Sequence, residues 1–389
     1  MTTRLSALSP ICFLLVLLAA VPAFSANVVV GTCMPNKVSY DSLTDAVQGV
    51  PPGSTILVCP GSYAEQVLID KSLTLKGITS GNGAYPVIVP PPGGLAIIPS
   101  AFGDDFAAQV VVEGGVNITI TGFALDATGF SLPNCFPSIA GISVVDSSAT
   151  LTNLAVKNQR ETGPPPCPSA AGVGVVAMND TGVAQTIKVQ DSTFVNIDTG
   201  FWSFGGANTS IITNNSFAGN PASIGFGILV VSGNASVQGN TITDFSYPPA
   251  GLDLNNISQG IGILVETCGG TVANNHVNNS RFGILLWTIS DCPTASVSVT
   301  GNDVSGASVV GLDVNRPNGL VQGNNIRTSL NAIRLGGFAS GNTIQNNTIN
   351  DAACAAFSSN PAAGANTLLN NKIFNALNLA IVSTTATCP

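Results

Sequence analysis

The sequence is poor in charge. Only 8% of its 389 residues are Asp, Glu, Lys or Arg, and 20 acidic residues against 12 basic ones give a formal net charge of −8. Nucleic-acid binding depends on clustered cations that neutralise phosphates, so this composition excludes an electrostatic nucleic-acid binder. The hydrophobic fraction of 45% is ample for a core, and the 42 glycines are typical of a turn-rich all-β protein rather than a helix bundle.

Residues that bind transition metals are scarce. There is one histidine, His276, and of the three methionines one is the initiator. No CxxC pair occurs, which excludes zinc-ribbon and thioredoxin-like sites. Copper prefers imidazole and soft sulfur ligands, so the chain offers no convincing copper site. We predict no metal ligands and no cofactor, with calcium needed only under the lyase alternative below.

Long apolar runs are missing after the N-terminus. Arg4, the apolar run 11–21 and the small residues of 23–26 form the pattern of a secretory signal peptide over residues 1–26. The apolar run is shorter than the roughly 20 residues that a membrane span needs. We therefore predict an exported protein, secreted or periplasmic, whose mature chain starts near Asn27 and has no membrane span.

Nine cysteines are present, and Cys12 lies in the signal segment. The even number that remains in an exported protein favours disulfides. Many connectivities are formally possible, and we predict pairing between neighbours in the chain. The predicted disulfide cysteines are Cys33 with Cys59, Cys135 with Cys167, Cys268 with Cys292, and Cys354 with Cys388.

A short polar-Asn-polar-aliphatic motif recurs along the chain, most often every 22 to 25 residues. Clear copies end at Ile242, Val277, Val304, Ile326, Ile349 and Ile373, and looser copies end at Val156, Phe194 and Phe217. A second block, such as GFGILVV at 225–231 or GIGILVE at 260–266, follows most copies. Two short strands per period exclude helical repeats and predict a stacked β solenoid.

Alignment of the second blocks predicts which side chains stack. One aliphatic column comprises Val175, Ile228, Ile263, Ile284, Leu312 and Ile333. A second aliphatic column lies two residues later, so both columns face one interior. The asparagines of the first motif predict a ladder of side-chain amides at a corner that tolerates left-handed backbone. These asparagines are Asn215, Asn240, Asn275, Asn302, Asn324, Asn347 and Asn371.

With these repeats the chain resembles the right-handed parallel β-helix superfamily, the pectin-lyase-like fold, whose coils carry such asparagine ladders. The segment 40–77 is similar to the N-terminal entry of pectin methylesterase-like proteins and of periplasmic β-helix proteins related to copper-site maturation of nitrous-oxide reductase. The resemblance implies a short capping helix over 40–50, followed by strands at 55–58, 66–69 and 73–75. We therefore predict an all-β, right-handed parallel β-helix solenoid with a helical cap.

The predicted organisation has three parts. Residues 1–26 are the signal peptide, residues 27–80 are the N-terminal cap and first coils, and residues 81–389 are the parallel β-helix. Two Pro-rich stretches, 158–171 and 246–258, lengthen two of the repeats and are expected to emerge as loops from one side of the solenoid.

The resemblance also allows the enzyme families of this fold to be checked for their motifs. Polygalacturonase-like hydrolases carry Asn-Thr-Asp, Asp-Asp, Gly-His-Gly and Arg-Ile-Lys segments, and none of these occurs. The Gln-Asp-Thr segment of pectin methylesterases has only a weak echo at 190–193, where Asp191 belongs to the repeat motif. No complete catalytic motif is present, which leaves enzymatic activity open.

One candidate site lies on the outward columns of the second block. The seventh column places Glu266, Trp287 and Asn315 on successive coils, with Asp313 and Arg334 of the fifth column close by. An indole beside a carboxylate and an amide suits a sugar ring, which stacks on the indole and bonds to the polar groups. The alternative is a Trp half-buried under a loop beside an ordinary ion pair.

A second candidate is the single histidine. Stacking places Asp303 one coil from His276, near enough for the carboxylate to orient the imidazole as a general base. The same column continues with Asn325, Thr348 and Lys372. The alternative is a solvent-exposed histidine at a corner of the solenoid.

These observations lead to two functional hypotheses. The first is a non-catalytic or catalytically diverged extracellular module that presents either a surface-contact face or a carbohydrate-binding face formed by Trp287, Glu266 and Asn315. The second is a polysaccharide lyase, epimerase or hydrolase on uronic-acid-rich glycans, with Glu266, Asp313 and Arg334 as catalytic residues. In both hypotheses the partner is a polysaccharide or a cell-surface glycan.

Overall fold

The computed structural model describes residues 25–79, 81, 83–99, 105–130, 138–160, 172–220, 225–246, 259–288 and 296–383. The predicted signal peptide therefore lies almost wholly outside the described residues, as do most of the two Pro-rich stretches. Within the described part, no helix has the length and apolar character that crossing a membrane would require.

The described chain is almost entirely short strands, with one helix. The first part comprises β1 (Asn27–Val30), β2 (Ser39–Tyr40), α1 (Leu43–Gly49), β3 (Thr55–Val58), β4 (Ser62–Ala64), β5 (Val67–Ile69), β6 (Leu73–Gly77), β7 (Val87–Val89), β8 (Ile97–Ile98), β9 (Phe106–Val112), β10 (Asn117–Thr121), β11 (Ala124–Asp126) and β12 (Ser138–Val145). The middle part comprises β13 (Ser148–Thr152), β14 (Ala155–Lys157), β15 (Gly172–Met178), β16 (Gln185–Gln190), β17 (Thr193–Ile197), β18 (Thr199–Phe204), β19 (Asn208–Thr213), β20 (Ser216–Gly219), β21 (Phe226–Val231), β22 (Asn234–Gln238), β23 (Thr241–Phe245) and β24 (Ile261–Glu266). The last part comprises β25 (Gly269–Ala273), β26 (His276–Ser280), β27 (Phe282–Trp287), β28 (Val297–Thr300), β29 (Asp303–Ser305), β30 (Val310–Asn315), β31 (Leu320–Gln322), β32 (Asn325–Leu335), β33 (Thr343–Gln345), β34 (Thr348–Ser359), β35 (Thr367–Leu369) and β36 (Lys372–Val382).

Each coil of the solenoid contributes strands to three faces. The first face is a 14-stranded sheet that runs from β2 and β1 through β3 to β35. A 22-stranded sheet forms the other two faces: the middle face stacks β14, β17, β20, β23, β26 and β29, and the third face stacks β15, β18, β21, β24, β27 and β30. The long strands β32, β34 and β36 pass through both. All pairings are parallel except that of β8 with β9.

The interior consists of the predicted aliphatic columns. Ile228, Ile263, Ile284 and Leu312 are in direct register on successive coils, and each is 0% exposed. Between Val175 and Ile228 the prediction missed one coil, because β18 places the aromatic Phe201 there instead of an aliphatic residue. Stacking of successive coils buries side chains that one coil could not bury alone.

A glycine recurs in the second block because neighbouring coils approach closely there. A Cβ atom on Gly262 would lie 2.6 Å from the carbonyl oxygen of Gly283, and one on Gly283 would lie 2.4 Å from that of Gly311. Such distances are too short for a side chain, so the block requires glycine at this position.

The predicted asparagine ladder is confirmed. The Nδ2 atom of Asn240 donates to Oδ1 of Asn275 at 3.0 Å, Asn275 donates to Asn302 at 3.0 Å, and Asn302 donates to Asn324 at 2.9 Å. The left-handed backbone belongs to the preceding residue, such as Asn274 at φ 55° or Gly301 at φ 64°. The ladder therefore satisfies buried amides just after each corner.

A short helix lies within the range predicted for the cap. Helix α1 begins after the N-cap Ser42, whose hydroxyl accepts a hydrogen bond from the backbone N–H of Asp45 at 3.0 Å. Its residues Leu43, Ala46 and Val47 are buried and join the main core. Its role in closing the N-terminal end of the solenoid stays a prediction.

One predicted disulfide is confirmed. Cys33 and Cys59 are bonded, with a Cα–Cα distance of 5.7 Å. Cys268 and Cys354 are also disulfide-bonded, but their predicted partners Cys292 and Cys388 lie outside the described residues. The predicted pair Cys135–Cys167 lies wholly outside them.

Candidate functional site

The predicted sugar-stacking strip has the expected register. Glu266 is paired with Trp287, and Trp287 with Asn315, on the successive strands β24, β27 and β30. Glu266 and Trp287 are half-buried, whereas Asn315 is buried and its Oδ1 accepts the backbone N–H of Phe338 at 3.1 Å. Burial raises the pKa of the Glu266 carboxyl. The indole packs against an apolar cluster that includes Leu285 and Phe282.

The neighbouring pair Asp313 and Arg334 is closed off from solvent. The Nη1 atom of Arg334 donates to Oδ2 of Asp313 at 2.8 Å. The side chain of Arg334 is 13% exposed and that of Asp313 is 1% exposed. Burial raises the pKa of Asp313, and the adjacent guanidinium opposes that effect. A catalytic role for Glu266, Asp313 and Arg334 stays a prediction, and in this geometry Asp313 does not reach a ligand on the surface.

Arg316 is a residue of this region that sequence reasoning missed. It is fully buried, and its Nη1 donates to the carbonyl oxygens of Thr267 at 3.1 Å and Trp287 at 3.4 Å. These two carbonyls lie at the ends of β24 and β27, so Arg316 ties together the strand ends that carry Glu266 and Trp287. Burial lowers the pKa of its guanidinium. The sequence does contain a signal for Arg316, because this residue directly follows Asn315 at the end of the strand that carries the predicted strip.

The histidine site forms on the middle face. His276 begins β26 and is paired with Asp303, which begins β29 on the next coil. The Nδ1 atom of His276 lies 3.0 Å from Oδ2 of Asp303. The side chains are 47% and 32% exposed, so solvent and ligands reach both. The predicted proximity of these two residues is confirmed.

Asp303 is held from its other side by two further residues. Arg327 donates through Nε to Oδ1 at 3.2 Å and through Nη2 to Oδ2 at 2.6 Å, which is a bidentate pair. The Nδ2 atom of Asn325 donates to Oδ1 at 2.9 Å. Both Asn325 and Arg327 belong to β32, the next strand of the face. These contacts engage both oxygens of the carboxylate and hold it in position.

This arrangement fixes the tautomer of the imidazole. An ionised carboxylate only accepts hydrogen bonds, so Nδ1 of His276 must carry the proton in this contact. The lone pair of the neutral ring then lies on Nε2, which is free to accept a proton from a ligand. The guanidinium of Arg327 is 43% exposed and contacts the same carboxylate from the next coil. The site therefore combines a base with a cation that binds the same carboxylate.

The surrounding surface is mostly polar. The outward column through His276 contains Thr241, Asp303, Asn325, Thr348 and Lys372. The neighbouring column contains Thr243, Asn278, Ser305, Arg327 and Asn350. Hydroxyl and amide groups therefore flank the base along the solenoid axis, where they can bond to the hydroxyls of an extended glycan.

Sequence reasoning missed Arg327 and the role of Asn325 in holding Asp303. Arg327 lies two residues after Asn325, and side chains two residues apart on a strand point to the same side. Reading the column next to that of His276 as well would have identified Arg327.

Among the described residues, no group of three or more His, Cys, Asp or Glu is arranged to hold a metal ion.

Comparison with known proteins supports the architecture. Residues 136–316 match the family model described as the right-handed β-helix region. Among curated protein sequences the comparison found no match.

Several solved structures have a similar fold. The periplasmic alginate epimerase AlgG matches with a TM-score of 0.50 and 13% identity, covering 88% of this chain and 84% of AlgG. A DFA-IIIase from Arthrobacter chlorophenolicus A6 matches with a TM-score of 0.56 and 16% identity, covering 89% and 98% of the two chains. A GH136 lacto-N-biosidase from Eubacterium ramulus matches with a TM-score of 0.55 and 12% identity, covering 90% and 68%. Identities this low establish a shared fold and nothing further.

Proposed function

Because the chain is a right-handed parallel β-helix protein, with the fold of the pectin-lyase-like superfamily, we propose that it is a polysaccharide-active enzyme whose base is His276. The observation that carries the proposal is the contact of His276 Nδ1 with a carboxylate that Arg327 and Asn325 hold in place. At this site a partly exposed base and a partly exposed cation contact the same carboxylate. The substrate class is a polysaccharide rich in uronic acids.

The proposed reaction begins with removal of the proton next to the uronate carboxylate. Nε2 of His276 takes that proton, and the electron pair of the broken C–H bond moves into the carboxylate to form an enediolate. Arg327, which holds Asp303 from the next coil, is the cation that stabilises the added negative charge in this proposal. In a lyase the intermediate then expels the glycosidic oxygen at the next carbon, which takes the proton from Nε2 and becomes a hydroxyl. In an epimerase the intermediate instead takes up a proton from water on the opposite face.

The similarities in fold give this proposal its direction. AlgG is by its printed name an epimerase of alginate, which is a polymer of uronic acids. The lacto-N-biosidase is an enzyme that acts on a glycan. Fold similarity at these identities does not transfer an activity, so the proposal depends on the residues of the histidine site.

Incubation of the purified, tag-free chain with alginate, polygalacturonate and a neutral glucan tests the proposal. Ultraviolet absorbance detects the unsaturated ends that a lyase makes, proton NMR detects epimerised residues, and a reducing-end assay detects hydrolysis. We expect turnover of at least one uronan and none of the glucan. Replacement His276→Gln should lower kcat by about 100-fold or more, because general base catalysis typically contributes that much.

Thr241→Gln is the matched control, since it adds the same side chain in the same column one coil earlier. It should retain most of the activity. If His276→Gln is as active as Thr241→Gln, His276 is not the base. If no uronan is changed with or without calcium, the enzyme proposal fails.

We further propose that Glu266, Trp287 and Asn315 form a carbohydrate-binding strip on the third face. Their register on three successive coils supports this role, since an indole flanked by polar groups suits a sugar ring. A glycan array compares the wild type with Trp287→Ala and with Trp202→Ala, an indole in the same sheet. Loss of glycan binding only in Trp287→Ala supports the proposed strip. Unchanged glycan binding in Trp287→Ala contradicts it.

We also propose that the protein works outside the cytoplasm, as a secreted or periplasmic protein. The Cys33–Cys59 disulfide and the disulfide-bonded state of Cys268 and Cys354 support this, because disulfides persist in oxidising compartments. N-terminal sequencing of the exported protein tests it together with the predicted signal peptide. A mature N-terminus near Asn27 is the expected result, and retention of residues 1–26 contradicts it.

A further inference from the structure

The face that carries His276 also carries an exposed aromatic ring on a later coil. Strand β36 begins on the middle face with Lys372, Ile373 and Phe374, in register with β34 of the preceding coil. Ile373 packs against the main core. Lys372 and Phe374 lie on either side of it, and the neighbours of an inward residue on a strand point outward. Lys372 is exposed and Phe374 is 55% exposed, so solvent reaches both.

Two outward columns connect Lys372 and Phe374 to the histidine site. Lys372 belongs to the column of His276, and Phe374 belongs to the column of Arg327. Paired strands are about 4.8 Å apart, so four coil steps place Lys372 about 19 Å from His276 along the axis. The first column comprises His276, Asp303, Asn325, Thr348 and Lys372, and the second comprises Asn278, Ser305, Arg327, Asn350 and Phe374.

The ammonium group of Lys372 is accessible to a ligand. Among the described residues it forms no ion pair. Residues 348–383 contain one other charged side chain, Asp351, whose Oδ1 accepts a hydrogen bond from Nδ2 of Asn375 at 2.6 Å. Asp303, which lies between His276 and Lys372 on the face, is already paired with Arg327. The charge of Lys372 can therefore act on a carboxylate brought by a ligand.

The described coils before His276 present a different surface on this face. Four coils earlier, the ammonium group of Lys157 is bound to Asp126 at 3.0 Å. The outward residues of the three coils between them are neither aromatic nor charged. They are Thr193, Val195, Ser216, Ala218, Thr241 and Thr243. A bound acidic glycan therefore gains more contacts by running from His276 toward the C-terminal coils.

Building on the function proposed for His276, we infer that Lys372 and Phe374 form a distal subsite for one uronic-acid residue of the substrate chain. The ring of Phe374 stacks on the C–H face of the sugar, and the ammonium group of Lys372 binds its carboxylate. A pyranose ring is close in length to one strand spacing, so the bound sugar is about four residues from the one at His276. The chain between them runs over the amides and hydroxyls of the two columns.

Calorimetric titration with heptamers of galacturonate and of mannuronate tests the subsite without requiring turnover. The parent protein carries His276→Gln, so that the chain is not consumed. We expect Phe374→Ala to weaken heptamer binding about 10-fold, because it removes the stacking surface. Lys372→Gln should weaken binding about 3-fold at low salt, and this loss should shrink as the salt concentration rises, because the exposed charge is screened.

The other side of His276 provides matched controls. Val195→Ala shortens a 52% exposed apolar side chain, and Lys157→Gln removes a 51% exposed lysine, both on the middle face. Both should bind the heptamers as tightly as the parent. A neutral glucose heptamer should bind the parent more weakly than the uronates do, and Lys372→Gln should not change that binding.

The outcomes separate the subsite from the function proposed for His276. Equal heptamer affinity in the parent, Phe374→Ala and Lys372→Gln overturns the subsite, as does a parent that binds neither uronate heptamer. Weaker heptamer binding in Phe374→Ala and Lys372→Gln, together with a wild type that turns over no uronan, supports the subsite and contradicts only the proposed catalysis. Thermal unfolding verifies the fold of each variant, and Phe374→Leu replaces Phe374→Ala if the latter fails to fold.

Discussion

The Nδ1 atom of His276 lies 3.0 Å from Oδ2 of Asp303, the residue directly above it on the next coil. This contact sets which ring nitrogen carries the proton. Because His276 is the only histidine in the sequence, its ring can be followed without ambiguity by nitrogen NMR.

The first prediction concerns this tautomer. In the wild type at a pH where the ring is neutral, we expect the form protonated at Nδ1 to dominate, because the ionised carboxylate accepts that proton. Asp303→Ala should move the population toward the form protonated at Nε2. The measurement is the pair of ring nitrogen chemical shifts, and Asn278→Ala, on the same strand, should not change them. Identical shifts in wild type and Asp303→Ala would refute the proposed orientation.

Much of the fold could be predicted because a solenoid repeats its local pattern. Residues such as Ile263 and Ile284 recur at a fixed step, and a fixed step places them in register. The missed coil shows the limit of this reasoning. Phe201 fills the same interior column, but an aromatic residue does not match a search for aliphatic ones.

The candidate sites were less predictable. Register alone placed Asp303 beside His276, and it also placed Asp313 beside Arg334. It could not distinguish an exposed pair from a buried one, because exposure depends on what covers each face. The bidentate contact of Arg327 depends on side-chain conformation, which the repeat pattern does not determine.

The second prediction concerns the asparagine ladder. Asn275 donates to the carbonyl oxygen of Val237 at 2.9 Å and to Asn302, and it accepts from the backbone N–H and side chain of Asn240. Asn275→Ala leaves several of these buried groups without partners, so we expect a loss of about 2–4 kcal/mol in stability. Denaturant unfolding followed by circular dichroism measures it. Asn278→Ala, an exposed asparagine on the adjacent strand, should cost less than about 0.5 kcal/mol, and equal losses would argue against the ladder.

The third prediction concerns backbone strain beside Arg327. Thr328 has φ 51°, in the left-handed region that β-branched residues disfavour. Earlier and later coils place Asp244, Asn279, Gly306 or Asp351 at this corner. Thr328→Asn should therefore stabilise the protein by about 0.5–1 kcal/mol, seen as a higher unfolding midpoint.

Thr343→Asn provides the comparison for Thr328→Asn. Thr343 begins β33 with ordinary extended backbone, so an asparagine there should stabilise nothing. A gain at both positions, or at neither, would show that relief of left-handed strain is not the cause.

The fourth prediction concerns the disulfide between Cys33 and Cys59. The bond joins residues 26 apart and connects the end of β3 to the segment after β1. The double replacement Cys33→Ser and Cys59→Ser should cost about 2–4 kcal/mol by releasing the unfolded chain. Denaturant unfolding under non-reducing conditions measures the loss. Peptide mapping of the replaced protein verifies that the other disulfides are unchanged, so that the loss of stability is due to this bond alone.

The fifth prediction concerns the pH dependence that Glu266 contributes. Burial raises the pKa of its carboxyl in the folded protein, so ionisation disfavours the folded state. The stabilising contribution of the protonated group is complete below the unfolded pKa of about 4.3 and is lost as the pH rises through the folded pKa. Glu266→Gln removes this loss. We expect it to match the wild type at acid pH and to exceed it at neutral pH by less than about 1 kcal/mol, since the half-exposed group is screened by solvent. Unfolding midpoints measured at several pH values, with Asp41→Asn as an exposed control, provide the measurement. A stability difference for Glu266→Gln that is constant with pH would exclude the carboxyl as its source.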